Sequence, residues 1–206
     1  MHQLSHPFHL TNKQLNSGIE LADLFEINIQ KFAQSIMDTV LAPVTTANFT
    51  APVLTINAAA FGLTDLDELW ASIAKSKVKN LILAGNYFIK VMNKPGFFQP
   101  TGVESGGKWK PFGWDFIGQN DEWQGAEANA VGFACNPQAI GVVAGLPLQI
   151  EMSNVITRKL TLPGIGIECY LNMWMDGNAR TTYATFDIML GTTSCDLTAG
   201  GLIKSQ

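Results

Sequence analysis

The stretch Val131-Gly-Phe-Ala-Cys-Asn-Pro-Gln-Ala-Ile-Gly-Val-Val-Ala-Gly-Leu-Pro147 decides how the rest of the chain is read. Val131 to Cys135 is a short apolar run of strand length. Asn136 follows as a helix N-cap and Pro137 as the first helical residue, where a missing N–H is no loss. The pattern predicts a short apolar helix to Ala144, stopped by Gly145 and Pro147. Such a helix has almost no polar face, so a sheet must enclose it.

Upstream, residues 93 to 125 hold no sustained period. Pro95, Gly96, Pro100 and Gly102 interrupt the backbone, and Phe97, Phe98, Trp109, Phe112, Trp114, Phe116 and Trp123 crowd the segment. It reads as a long loop or loose hairpin. Its rings suit contacts with their own domain or with a neighbouring molecule, since aromatic residues are enriched at interface cores.

Regular elements flank this centre. Ser17-Gly-Ile-Glu20 is a capping box, and behind it Leu21, Leu24, Phe25, Ile29, Phe32, Ile36, Met37 and Val40 recur at helical spacing. A long amphipathic helix is expected, ending before Pro43. Val44 to Phe61 fits short strands or an extended linker. Thr64 to Asp67 opens a second helix with Leu66, Leu69, Trp70 and Ile73 on one face, closed by Lys75 and Lys77. Asn80 to Gly85 reads as a buried strand, and Asn86 caps a short helix to Met92. Late in the chain, Val155–Leu162, Gly166–Met175 and Thr181–Leu190 alternate as strands, with a tight turn at Asp176-Gly-Asn178. Leu197 to Ile203 is a last strand.

Composition bounds the function. Hydrophobic residues make up 47% and charged residues 15% of 206, with net charge −4; the pI is about 5.3 and the mean hydropathy +0.13. That balance suits one domain or two merged lobes, and a protein that assembles. It argues against a dedicated nucleic-acid binder, which carries a basic patch. Cys135, Cys169 and Cys195 have neither disulfide nor zinc spacing and read as free buried thiols of a reducing cytoplasm. No apolar run is long enough to span a bilayer, and Met1 to Pro7 lacks the features of a secretory signal, so a soluble, intracellularly made protein is expected.

The chemical candidates weigh little. Gly102 to Lys108 imitates a phosphate loop, but Trp109 stands where Ser or Thr must bind magnesium and Pro111 where the helix should start. His2, His6 and His9 are the only histidines. They sit in a polar terminal segment broken by Pro7, so neither a metal site nor a histidine-based nucleophile system is expected. Asp115, Asp121, Glu122 and Glu127 lie near rings and invite a glycosidase or carbohydrate-binding reading. No catalytic residue, metal or cofactor is assigned.

The strand running into Asn136-Pro-Gln-Ala-Ile140 and its small-residue helix resembles the axial domain of tailed-bacteriophage major capsid proteins of the Hong Kong-phage type. The resemblance spans nearly the whole chain. Ser17–Leu41 is similar to the spine helix of the peripheral domain, followed by Thr45 to Phe49. Thr64 to Met92 is similar to the entry of the axial domain, the Val155–Leu190 strands to the long peripheral sheet, and Leu190 to Ile203 to the return to the axial side.

The resemblance implies an α+β, wedge-like subunit. Residues 1–60 and 153–190 would be peripheral; 61–152 and 191–206, a small sheet with flanking helices, would be axial. It implies a structural coat protein and no enzyme. The subunit would self-assemble as hexamers and pentamers into an icosahedral virion shell, built in the host bacterial cytoplasm. That shell would enclose DNA without sequence-specific binding and touch no membrane; scaffolding and portal proteins are the further partners. Phe97, Phe98, Trp109, Trp114 and Trp123 become the candidate subunit-interface residues. The alternative is a carbohydrate- or ligand-binding module using the aromatic loop 97–123. Only a short segment precedes Ser17, where the family carries an N-terminal arm and an extended loop. The chain therefore reads as a fragment, a processed form or a short variant, expected to fold but not to close shells.

Overall fold

The computed structural model describes residues 1–11, 21–50, 53–73, 76–97, 110–120, 127, 129–148, 154–162, 166–178 and 181–206. In chain order come strand β1 (His2–Thr11), helix α1 (Leu21–Leu41), strand β2 (Val53–Thr55) and helix α2 (Leu63–Ser72). Strand β3 (Asn80–Leu83) and helix α3 (Gly85–Met92) follow, then a 3-10 turn at Pro111–Gly113 and strand β4 (Phe116–Gln119). The remaining strands are β5 (Ala130–Cys135), β6 (Ile140–Gly145), β7 (Val155–Thr161), β8 (Glu168–Asp176), β9 (Thr181–Ser194) and β10 (Gly200–Lys204).

The chain forms two compact units, Met1–Val40 with Val142–Thr192 and Leu41–Gly141 with Thr193–Gln206. The crossings at 40/41, 141/142 and 192/193 compare with 60/61, 152/153 and 190/191 expected from the sequence.

The first unit is an antiparallel sheet, β1-β9-β8-β7, with β6 also pairing β9. Along α1, Phe25, Ile29, Phe32, Ile36 and Val40 fall three or four residues apart and form one stripe. It packs on Leu4, Phe8, Leu160, Leu171, Ala184, Phe186 and Ile188 of the sheet. Phe186 stacks on Phe32 at 5.6 Å and on Phe8 at 5.3 Å. Each such pair adds about 0.5–1.5 kcal/mol beyond the area it buries. α1 ends before Pro43, as its sequence requires; the Ser17–Glu20 capping box lies outside the described residues.

The second unit holds a mixed sheet in the order β2-β10-β5-β3-β4, parallel at β2/β10 and β3/β4 and antiparallel at β10/β5 and β5/β3. Leu66, Leu69 and Ile73 from α2 and its end, with Tyr87 and Val91 from α3, form one core with Leu81, Leu83, Ile117, Ala134 and Ile203 of the sheet. Asp65 accepts the Gly62 amide at 2.8 Å and so caps the start of α2. Among the described residues the cation bonded to the carbonyls at the other end is Lys79, and of the two lysines expected there Lys75 lies outside the described residues. Lys79 Nζ donates to the carbonyls of Trp70 and Ile73 and sits 3.9 Å over the Trp70 ring. Burial pulls its pKa down.

Several expectations are corrected. Asn136 to Ala144 is not a helix. Asn136 caps a tight turn, its Oδ1 accepting the Gln138 amide at 2.8 Å and its carbonyl the Ala139 amide at 3.1 Å, and the chain leaves as β6. The terminal segment with the histidines is strand β1, paired with β9 from His2↔Leu190 to Thr11↔Thr181. Pro7 is tolerated because β1 is an edge strand. The aromatic segment contains β4, whose partner β3 lies far back in the chain. Of the thiols, Cys169 is buried, Cys135 half-buried and Cys195 exposed.

Candidate functional site

The aromatic segment divides between core and surface. Phe97 (3% exposed) and Trp114 (0%) lie inside the second unit's core, beside Phe61, Leu69 and Tyr87. The turn that delivers Trp114 needs left-handed backbone at Phe112 (φ 50) and Gly113 (φ 82). An enclosed ring cannot touch a neighbour or stack on a sugar. Phe97 and Trp114 are therefore not interface residues in this conformation, and the carbohydrate reading loses Trp114. Phe98, Trp109 and Trp123 lie outside the described residues, as do Gly102 to Lys108. Phe116 turns outward and is 56% exposed.

The carboxylates of this region act as anchors. Asp115 pairs with Lys110 at 2.6 Å and accepts the Lys79 amide at 2.9 Å. Glu127 accepts Lys204 Nζ at 2.7 Å on one oxygen, and the Thr46 amide (2.7 Å) and hydroxyl (2.9 Å) on the other. Lys204 first, then Thr46, hold the Glu127 carboxyl down to about 2. Asp121 and Glu122 are outside the described residues. Among the histidines, the period of a strand puts His2 and His6 on one face of β1 and His9 on the other, and His6 meets Asn28 Oδ1 at 3.3 Å.

Away from α1, the first unit's sheet carries a polar ladder. Asp187 accepts hydrogen bonds from Ser5 Oγ, from Gln3 at 3.4 Å, and from Asn172 and Thr185 at 2.7 Å each. Thr157 donates to Asn172 Oδ1 at 2.7 Å, so the network runs from β1 through β9 and β8 to β7. Over this ladder lies a cavity of about 430 Å³, walled by Pro147, Leu148, Asn154 and Trp174. The ladder's polar groups bond mainly to one another, which makes this face a lock on strand register.

Exposed apolar side chains mark the other notable surfaces. Val142, Val143 and Leu148 stand out from β6 and the chain just after it, and Trp70, Val78 and Phe116 from the second unit. Single exposed apolar side chains are ordinary on a protein surface; three within seven residues of one strand and its continuation, Val142, Val143 and Leu148, are the denser group. Sequence periodicity does not reveal these exposed β6 side chains, because the run reads as an enclosed helix.

No family model matches the sequence, and no curated protein does. Solved structures do. The chain is similar to a chain in the capsid of the cyanophage P-SCSP1u, with 12% identity and TM-score 0.57 over 99% of this chain and 72% of that one. It is similar to a chain of Gordonia phage Cozz, with 11% identity and TM-score 0.54 over 100% and 70%. It is also similar to the SrpI encapsulin of Synechococcus elongatus, with 13% identity and TM-score 0.56 over 98% and 73%. The chain has the α+β fold of phage capsid proteins, shared with an encapsulin.

Proposed function

We propose that this chain is a major capsid subunit, which self-assembles into the icosahedral shell of a tailed-phage virion. The observation that carries the reading is the fold match over almost the full chain to the cyanophage P-SCSP1u capsid. The first unit, helix α1 on its antiparallel sheet, is the peripheral part; the second unit is the axial part. Function resides in surfaces that meet other copies rather than in catalysis, a reading supported by the shell proteins among the fold neighbours. The shell encloses DNA without reading its sequence, in keeping with a net charge of −4. Scaffolding and portal proteins are further partners, and assembly takes place in the bacterial cytoplasm.

The SrpI match makes an encapsulin the second reading. A virion shell must hold a nucleic-acid genome, so nuclease-protected DNA in purified particles separates the two. The reading itself is tested by sedimentation velocity and negative-stain microscopy of the purified protein over a concentration series. Five- and sixfold rings or curved lattice fragments are expected. A monomer at every concentration would contradict it.

A further inference from the structure

We infer that the outer edge of β6 and the chain following it, Val142 to Leu148, is a surface on which a second copy of this chain seats. This deepens the shell reading and rests on it. Val142 and Val143 point to opposite faces of one strand, yet are 44% and 58% exposed, and Leu148 is 96% exposed. A strand with a covered face would hide one of the two valines. Among the described strands β6 pairs only with β9, so among the described residues its other edge has no strand partner beside these side chains.

The comparison with the other edges of the same sheet is what marks β6. Unprotected edges invite pairing with further chains, and proteins guard them with charge or proline. β1 carries Pro7 at its centre, and β7 carries Arg158 and Lys159, the latter paired with Glu168 at 2.7 Å. β6 has neither guard: no Asp, Glu, Lys or Arg occurs from residue 128 to 150, and Pro147 lies beyond the strand. β6 is thus the unguarded one of the three strands, β1, β7 and β6, that each have a single partner among the described strands of this sheet.

Charge selects the occupant. Copies with a net charge of −4 repel one another on average, and an uncharged strand is where they approach at least cost. An oppositely charged partner would gain nothing from this patch. Size sets the strength. A six-residue strand is roughly 20 Å long, and it supplies only a fraction of the ~800 Å² per partner that a stable interface needs. The contact is weak alone and becomes lasting only when repeated around a closed assembly.

The test compares wild-type chain with Val143→Lys by sedimentation velocity over a concentration series, with far-UV circular dichroism as the check on folding. Val143→Lys should need at least tenfold more protein to associate while keeping its spectrum. In the wild type, amide hydrogens of Val142 to Leu146 should exchange more slowly in the associated state than in dilute monomer; this measurement needs no variant. If the wild type associates and Val143→Lys does so within twofold of the same concentration, or those amides exchange alike in both states, the β6 assignment is wrong while the shell reading stands. A wild type that never associates overturns both.

Discussion

Trp114→Ala separates a core ring from an interface ring. Trp114 is fully enclosed, in a cluster with Phe61, Leu66, Leu69, Ile73, Leu81, Tyr87 and Phe97. A buried tryptophan removes about 150–250 Å² from water, worth ~4–6 kcal/mol at ~25 cal/mol/Å². That sum uses an extended unfolded chain and is an upper bound; aromatic-to-alanine changes in cores cost about 3–5 kcal/mol. A loss of about 4 kcal/mol follows. With a urea slope of about 2 kcal/mol/M, the midpoint falls by about 2 M. Set against a domain stability of ~5–15 kcal/mol, that loss is from about a quarter to most of the total. The assay is urea unfolding followed by circular dichroism at a concentration where the protein is monomeric. Phe116→Ala is the control, since that ring is 56% exposed and should cost below about 1 kcal/mol. A Trp114→Ala protein within about 1 kcal/mol of wild type that has lost only its association would refute the core assignment.

Other outcomes are as specific. Glu127→Gln should destabilise the second unit in a pH-dependent way. The folded-state value of about 2 lies below the ordinary 4.5, so the ionised latch contributes fully above about 4.5 and is lost as pH falls through about 2. The gap in melting temperature between wild type and variant should therefore close across that window, and a gap that stays constant would contradict the latch. Iodoacetamide at mildly alkaline pH should modify exposed Cys195 first, because burial pushes the Cys135 and Cys169 thiols up to about 11. Mass spectrometry of the peptides checks the order, and equal labelling of Cys169 would contradict it. Gly200→Ala would place a Cβ 2.6 Å from Phe133 Cζ and 2.9 Å from Phe49 Cδ1. It should cost about 1–3 kcal/mol in thermal or urea melts, and a neutral effect would show that this packing is loose.

Where a single long pattern or a tight local signal governs, the sequence was readable. The α1 stripe of Phe25, Ile29, Phe32 and Ile36 spans many turns and has one physical solution. Alternation from Thr181 to Leu190 likewise puts Ala184, Phe186, Ile188 and Leu190 on one side, and all are buried. The central stretch misled because Asn136-Pro137 serves a turn as well as a helix start, and a short apolar run has no decisive period. The signal that favours the strand is chemical: Ile140, Val142 and Val143 are β-branched, and Gly141 and Gly145 weaken a helix. β1 was legible in retrospect, since Leu4, His6, Phe8 and Leu10 alternate with more exposed residues. β4 was not, because four residues containing Gly118 become a strand only through parallel pairing with distant β3. The sequence points Trp114 to a surface for a similar reason. A ring in a segment without period carries no information about which side it faces until the turn at Phe112 and Gly113 is known.

Electron cryomicroscopy of the particles or rings formed by the protein tests the central claim most directly. Closed five- and sixfold arrangements of this subunit are expected, with the second unit around the axes and the first unit at the periphery. Only twofold dimers or monomers, or rings in which the first unit surrounds the axis, would contradict it.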